Sequence, residues 1–125
     1  MALGEEVMRT LILALALLLT SACSRVPVVD ATEAAAVVKA AQELMNGFSI
    51  GDSIPAERWP TAIRSLNPDS VLLAEEGLYI QTASCFVEAW GLFVPRDPSI
   101  SLPGRGSDPS YAKMHTSLFS YYVAG

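Results

Sequence analysis

Positive charge and thiols are scarce in this chain. Eight Lys and Arg residues stand against thirteen Asp and Glu, giving a formal net charge of −5 at pH 7. Nucleic acid is gripped through clustered cations at its phosphates, and the basic residues here are scattered singly, so no nucleic-acid partner is expected. Only two cysteines, Cys23 and Cys85, and one histidine, His115, are present. A four-ligand zinc site would need clustered carboxylates to complete it, and the sequence supplies none. No metal and no cofactor is expected. Internal repeats and low-complexity segments are also missing, which removes solenoids and disordered tails from the candidate architectures.

Long apolar runs are missing as well, with one exception: "MRTLILALALLLTSACSRV", Met8 to Val26. From Leu11 to Leu19 every residue is Leu, Ile or Ala, and the stretch falls short of the roughly 20 residues that cross a bilayer core as a helix. A membrane span is therefore not expected. Arg9 supplies a basic start, the Leu/Ala block is an apolar region of secretory size, and Thr20, Ser21 and Ala22 are the small residues of a cleavage site. Glu5 and Glu6 sit in a region that signal peptides keep basic, so Met8 is the expected initiator.

A Leu-rich block running into small residues and then an obligatory cysteine resembles the lipobox of the bacterial lipoprotein precursors. The resemblance covers the first fifth of the chain and implies that residues 1–22 are a signal peptide, removed after a lipid is attached to the Cys23 thiol. The class most often carries Leu three residues before the cysteine; this chain has Thr20, with Leu19 displaced by one. Ordinary secretion with cleavage after Ala22 is the alternative. The class also implies a sorting rule for diderm bacteria, under which Ser24, in place of Asp, points to the outer membrane, facing the periplasm. Lipidation of Cys23 would leave Cys85 alone, so no intramolecular disulfide staples the domain.

Residues 23–30, the lipidated cysteine followed by "SRVPVVD", then form a short tether, of which those seven residues span at most about 23 Å. Residues 31–125 are long enough for one small domain. Asp30 and Glu33 read as a capping box ahead of "ATEAAAVVKAAQELMNG". Val37, Ala41, Leu44, Met45 and Phe48 recur at helical spacing, with Asn46 and Gly47 as a left-handed stop. A helical turn is expected from Pro60 to Leu66, directing Trp59, Ile63 and Leu66 to the core. "VLLA", a turn at Glu75, Glu76 and Gly77, and "LYIQTA" read as a hairpin. "CFVEAWGLFV" and "YAKMHTSLFSYYV" read as a third and a fourth strand. The expected fold is α+β, an N-terminal helix packed on a small antiparallel sheet of three to four strands.

Glu88 interrupts an apolar strand, on one face with Phe86 and Trp90, and is a candidate acid or base; its structural reading is an ion pair with Lys113 or an Arg. His115 is a candidate base with Glu88 or Asp108 as its orienting carboxylate, or else a structurally bonded strand histidine. No Ser or Cys occupies a nucleophile motif, and Cys85 reads as a small buried hydrophobe. "PGRGSDPS" lacks the Gly-Lys-Ser/Thr ending of a phosphate loop. The stretch from Pro95 to Ser110 is long and aperiodic, and Arg96, Asp97, Arg105 and Asp108 make it the candidate binding surface, with an irregular crossover as the structural alternative. The expected function is an envelope lipoprotein that binds a protein or wall component without catalysis; the alternative is a small envelope hydrolase using Glu88 and His115.

Overall fold

The computed structural model describes residues 5, 7–10 and 26–125; the apolar run and Cys23 lie outside the described residues. Asp30 opens helix α1, Ala31–Gly47, by accepting the Glu33 backbone N–H at 2.8 Å, one of the four donors a helix start leaves unpaired. The apolar positions of α1 fall on one stripe, burying Ala34, Val37, Ala40, Ala41, Leu44 and Met45. The expected left-handed stop is not used. Gly47 ends the helix, and Phe48 leaves it in extended geometry (φ −126°), its N–H still bonded to the Leu44 carbonyl.

A 3-10 turn, Ala56–Arg58, and a one-turn helix α2, Thr61–Arg64, follow. Proline at positions 55 and 60 provides the extended entry to each. Ile63 is fully buried, with Trp59 and Leu66 packed beside it, and the Trp59 indole donates to the Ile54 carbonyl at 2.9 Å.

Five strands then form one antiparallel sheet: β1 Ser70–Leu73, β2 Gly77–Cys85, β3 Glu88–Pro95, β4 Ser110–His115 and β5 Leu118–Val123, in the order β1-β2-β3-β5-β4. The sheet therefore has five strands, where three to four were expected. The stretch read as a single fourth strand reverses at Thr116–Ser117, where Ser117 takes φ 62°. Neither Thr nor Ser announces a tight turn as Gly or Asn would, so the break was hidden.

The same concealment shifts the third strand. Cys85 ends β2 and pairs with Glu88, and the chain turns through Phe86 and Val87, with Phe86 at φ 58°. Left-handed geometry costs a side-chain-bearing residue about 1–2 kcal/mol, less for Asn. Phe86 is fully exposed and recovers nothing by packing. Phe86→Asn is expected to stabilise the domain by about 1 kcal/mol, read as a higher urea midpoint; a lower midpoint would show that the ring holds the turn.

One face of the sheet presents Val71, Leu73, Leu78, Ile80, Leu92, Val94 and Leu118, which join the α1 stripe and Ile63 in a single apolar cluster. This is the inner face. Alternation sends the intervening residues to an outer face, where Leu72, Tyr79, Gln81, Ala89, Phe93, Tyr111 and Tyr121 reside. The edge of β1 is closed by the chain before it: Gly51 donates to the Leu73 carbonyl, Leu73 to Asp52, and Ile54 to Val71, around a bridge between Ser53 and Leu72. The other edge, β4, is six residues long, bulged near Met114, and has its Tyr111 N–H taken by the Pro103 carbonyl.

Candidate functional site

The crossover 96–109 explains where the expected binding residues went. It leaves β3 at the end of the sheet that holds the β1–β2 turn and must reach the start of β4 at the opposite end, beside Tyr122. Arg96 stays at the first end, donating its backbone N–H to the Glu76 carbonyl and its Nε to the Glu75 carbonyl. Asp97 folds onto its own turn, its carboxylate accepting the backbone N–H and hydroxyl of Ser99; those bonds hold its pKa below the usual carboxylate value. Asp108 lies at the far end, where it accepts the Ala124 N–H at 2.8 Å, and Arg105 lines a depression with Trp90 and Tyr122. The four exposed charges thus form two separated pairs.

Glu88 and His115 are not brought together either. Glu88 accepts a 3.0 Å hydrogen bond from the Tyr122 hydroxyl; among the described residues the ion pair with Lys113 or an Arg that its strand position suggested is not formed. That bond, rather than burial, is the first cause of the raised Tyr122 pKa. His115 pairs with Leu118 at the other end of β5. Four residues of strand, about 13 Å, separate the two neighbourhoods. His115 Nε2 instead lies 2.9 Å from the Val29 carbonyl, an acceptor that fixes it as the protonated nitrogen. The histidine clamps the segment before α1 onto the sheet. Asp108, its other expected partner, stands at Glu88's end. Cys85 is half-buried rather than buried, because it closes β2 next to the turn. Among the described residues, no group of His, Cys, Asp and Glu gathers with metal-ligand geometry.

What the outer face does gather is aromatic. Tyr79 contacts Phe93 and Tyr121 with ring centroids 4.6 and 5.0 Å apart, and Phe93 contacts Tyr111 at 5.2 Å. The Tyr79 hydroxyl has one proton and donates it to Glu76 at 2.6 Å, so the Tyr111 hydroxyl, also at 2.6 Å, is the donor to Tyr79. Beside this cluster a groove of ≈ 340 Å³ runs over β2 and β3, walled by Leu72, Tyr79, Gln81, Tyr121, Val123 and Pro109. Gly91 lets the Tyr121 ring, one wall of the groove, lie close against β3. Lying opposite Gln81 and Tyr121, it has no side chain to hold the Tyr121 ring off the strand; a Cβ there would stand 2.8 Å from that ring and 2.0 Å from the Ile80 carbonyl oxygen.

Sequence reasoning passed over these tyrosines. The signal was present in "LYI" and "FSYYV": Tyr79 and Tyr121 each alternate with inward positions and so mark an aromatic outer face.

Burial pushes the Tyr121 hydroxyl up to about 12, with the charges of Tyr111 and Asp69 adding to it. Burial raises Tyr79 further still, reinforced by its bonds to Glu76 and Tyr111. A folded-state pKa raised above the ordinary 10.0 contributes stability that is whole below that value and is lost as pH climbs through the folded one. Melting temperature is therefore expected to hold up to about pH 10 and to fall between about 10 and 12, with tyrosinate absorbance rising in step with unfolding. Full ionisation of all the tyrosines in a still-folded protein would contradict the burial of this cluster.

Compared with known proteins, the chain matches no family model, no curated protein and no solved structure at a significant level.

Proposed function

We propose that this chain is a bacterial envelope lipoprotein, anchored through a lipid on Cys23 at the outer membrane facing the periplasm, whose domain binds a protein or wall component without catalysing a reaction. The observation that carries the binding half is the groove beside the tyrosine cluster. It is an apolar, aromatic-walled channel on a sheet face whose exposed wall residue, Leu72, is 43 % accessible. Such concave surfaces with a few polar groups are where ligands dock. The hydrolase reading finds less support, since Glu88 and His115 are engaged at opposite ends of β5. The binding surface accordingly moves from the charged crossover to the outer face of β1, β2, β3 and β5, with Pro109 the crossover residue that reaches it.

The anchor half rests on the Leu11 to Cys23 pattern. Expressed in a diderm bacterium, the full chain should incorporate a fatty-acid probe and Cys23→Ala should not; unchanged labelling would end the anchor reading. For the binding half, isolated wall sacculi and envelope extracts are offered to the purified full chain, alongside Leu72→Arg, which places charge in the groove without touching the core. The wild type should retain a component that Leu72→Arg loses at least about tenfold, equivalent to about 1.4 kcal/mol. Retention that is indifferent to Leu72, or none at all, would remove the groove from consideration.

A further inference from the structure

We infer that the Phe86–Val87 turn is a finger that inserts into the phospholipid surface and fixes how the domain stands on its membrane. This rests on the proposed anchoring at Cys23. Phe86 and Val87 are the exposed large apolar residues of the β2–β3 hairpin, 103 % and 72 % accessible. An exposed large aromatic at positive φ is a position where Gly or Asn would be easier to hold, so the turn tolerates strain to display an apolar tip.

The path of the tether says what covers that tip. Val29 is clamped by His115 at the end of the sheet away from the finger, whereas Val26 shares the depression of Trp90, Tyr122 and Ser110 at the finger's end. Traced backwards, residues 29 to 26 therefore run along β4 and β5 toward the finger. Three residues of chain, at most about 11 Å, separate Val26 from Cys23 in the sequence. The lipid on Cys23 and the apolar tip would thus meet the bilayer from the same end of the sheet.

Depth agrees with that placement. Trp90 and Tyr122, with ring centroids 5.3 Å apart, stand about 10 Å behind the tip. A tip buried about 5–10 Å brings this pair to the headgroup level, where Trp and Tyr are favoured. The described charges at this end are Asp69, Glu88 and Asp108 against Arg105, so they offer the tip no basic patch to draw it to anionic lipid. Insertion is apolar and should be insensitive to salt.

The test uses the full chain purified from bacterial membranes and reconstituted into vesicles of phosphatidylethanolamine and phosphatidylglycerol. A photoreactive benzophenone amino acid replaces Phe86 in one sample. In another it replaces Ile50, an exposed residue beside Gly51 at the opposite end of the sheet. Both samples should float with the vesicles, and illumination should yield at least about tenfold more phospholipid adduct at position 86 than at position 50, in low and high salt alike. Flotation with equal adducts at the two positions would overturn the finger and leave the anchor standing. An adduct to a second copy of the chain would assign the tip to a contact between copies and overturn it too. Failure of either sample to float would bring down the anchor reading and the finger together.

Discussion

Gly91→Val is expected to cost about 3 kcal/mol or more. Adding volume to a packed site ordinarily costs about 1–3 kcal/mol because neighbours shift to make room. At Gly91 the nearest neighbour is backbone: a Cβ would lie 2.0 Å from the Ile80 carbonyl oxygen, with the Tyr121 ring at 2.8 Å on its other side. A flexible side chain can swing aside; a paired strand cannot. Relief requires β2 and β3 to part where they pass from Ile80 to the register shift between Gln81 and Ala83. Since small domains are stable by about 5–15 kcal/mol, the variant should unfold at a much lower urea concentration, measured by circular dichroism. A midpoint within about 0.5 kcal/mol of wild type, the range of an inert surface change, would mean that the close approach is not there.

Phe93→Ala should cost about 3–5 kcal/mol, as for other buried aromatics. Its unusual feature is the side of the sheet on which the loss falls. Phe93 is fully buried yet does not belong to the cluster shared by α1 and the inner face; it lies among Tyr79 and Tyr111 on the outer one. Removing the ring takes away contacts from both tyrosines, and with them the support of the Tyr111 to Tyr79 to Glu76 hydrogen-bond chain. Two readouts follow. The melting temperature should drop by about 12 °C or more, at about 4–8 °C per kcal/mol for a domain of this size, and Tyr79 should ionise at a lower pH than in the wild type. A stable variant with unaltered tyrosine titration would show that the outer cluster stands without its phenylalanine.

The elements legible in the sequence were those whose signals are local. Asp30 and Glu33 announced the start of α1, Pro60 the short helix, and Glu75 to Gly77 the first hairpin turn. The α+β class followed, while the strand number did not. Phe86–Val87 and Thr116 are strand-forming residues placed at tight turns, and Ser117 and Phe86 adopt positive φ without the glycine or asparagine that would have flagged it. The site was harder to read for a different reason. Arg96, Asp97, Arg105 and Asp108 are close in sequence, but a crossover that travels the length of the sheet distributes them to both of its ends. Glu88 and His115 were singled out as chemical types in an apolar setting, and each proved to be satisfied locally, by Tyr122 and by the Val29 carbonyl. The close seat of the Tyr121 ring depends on Gly91, whose role is set by what lies across the strand from it, and no pattern along the chain reports that.

The way the sheet terminates has a bearing on how many copies can live side by side. A strand edge with open N–H and C=O groups templates the addition of another strand, and confinement to a surface raises the encounter rate among neighbours. Here one margin is occupied by the chain's own residues 51–54, and the other is a short, bulged strand with Lys113 exposed and Tyr111 already bonded to Pro103. Ladder growth from molecule to molecule finds no start on the first and little room on the second. If the domains are anchored in a plane as proposed, crowding should therefore leave them as separate units.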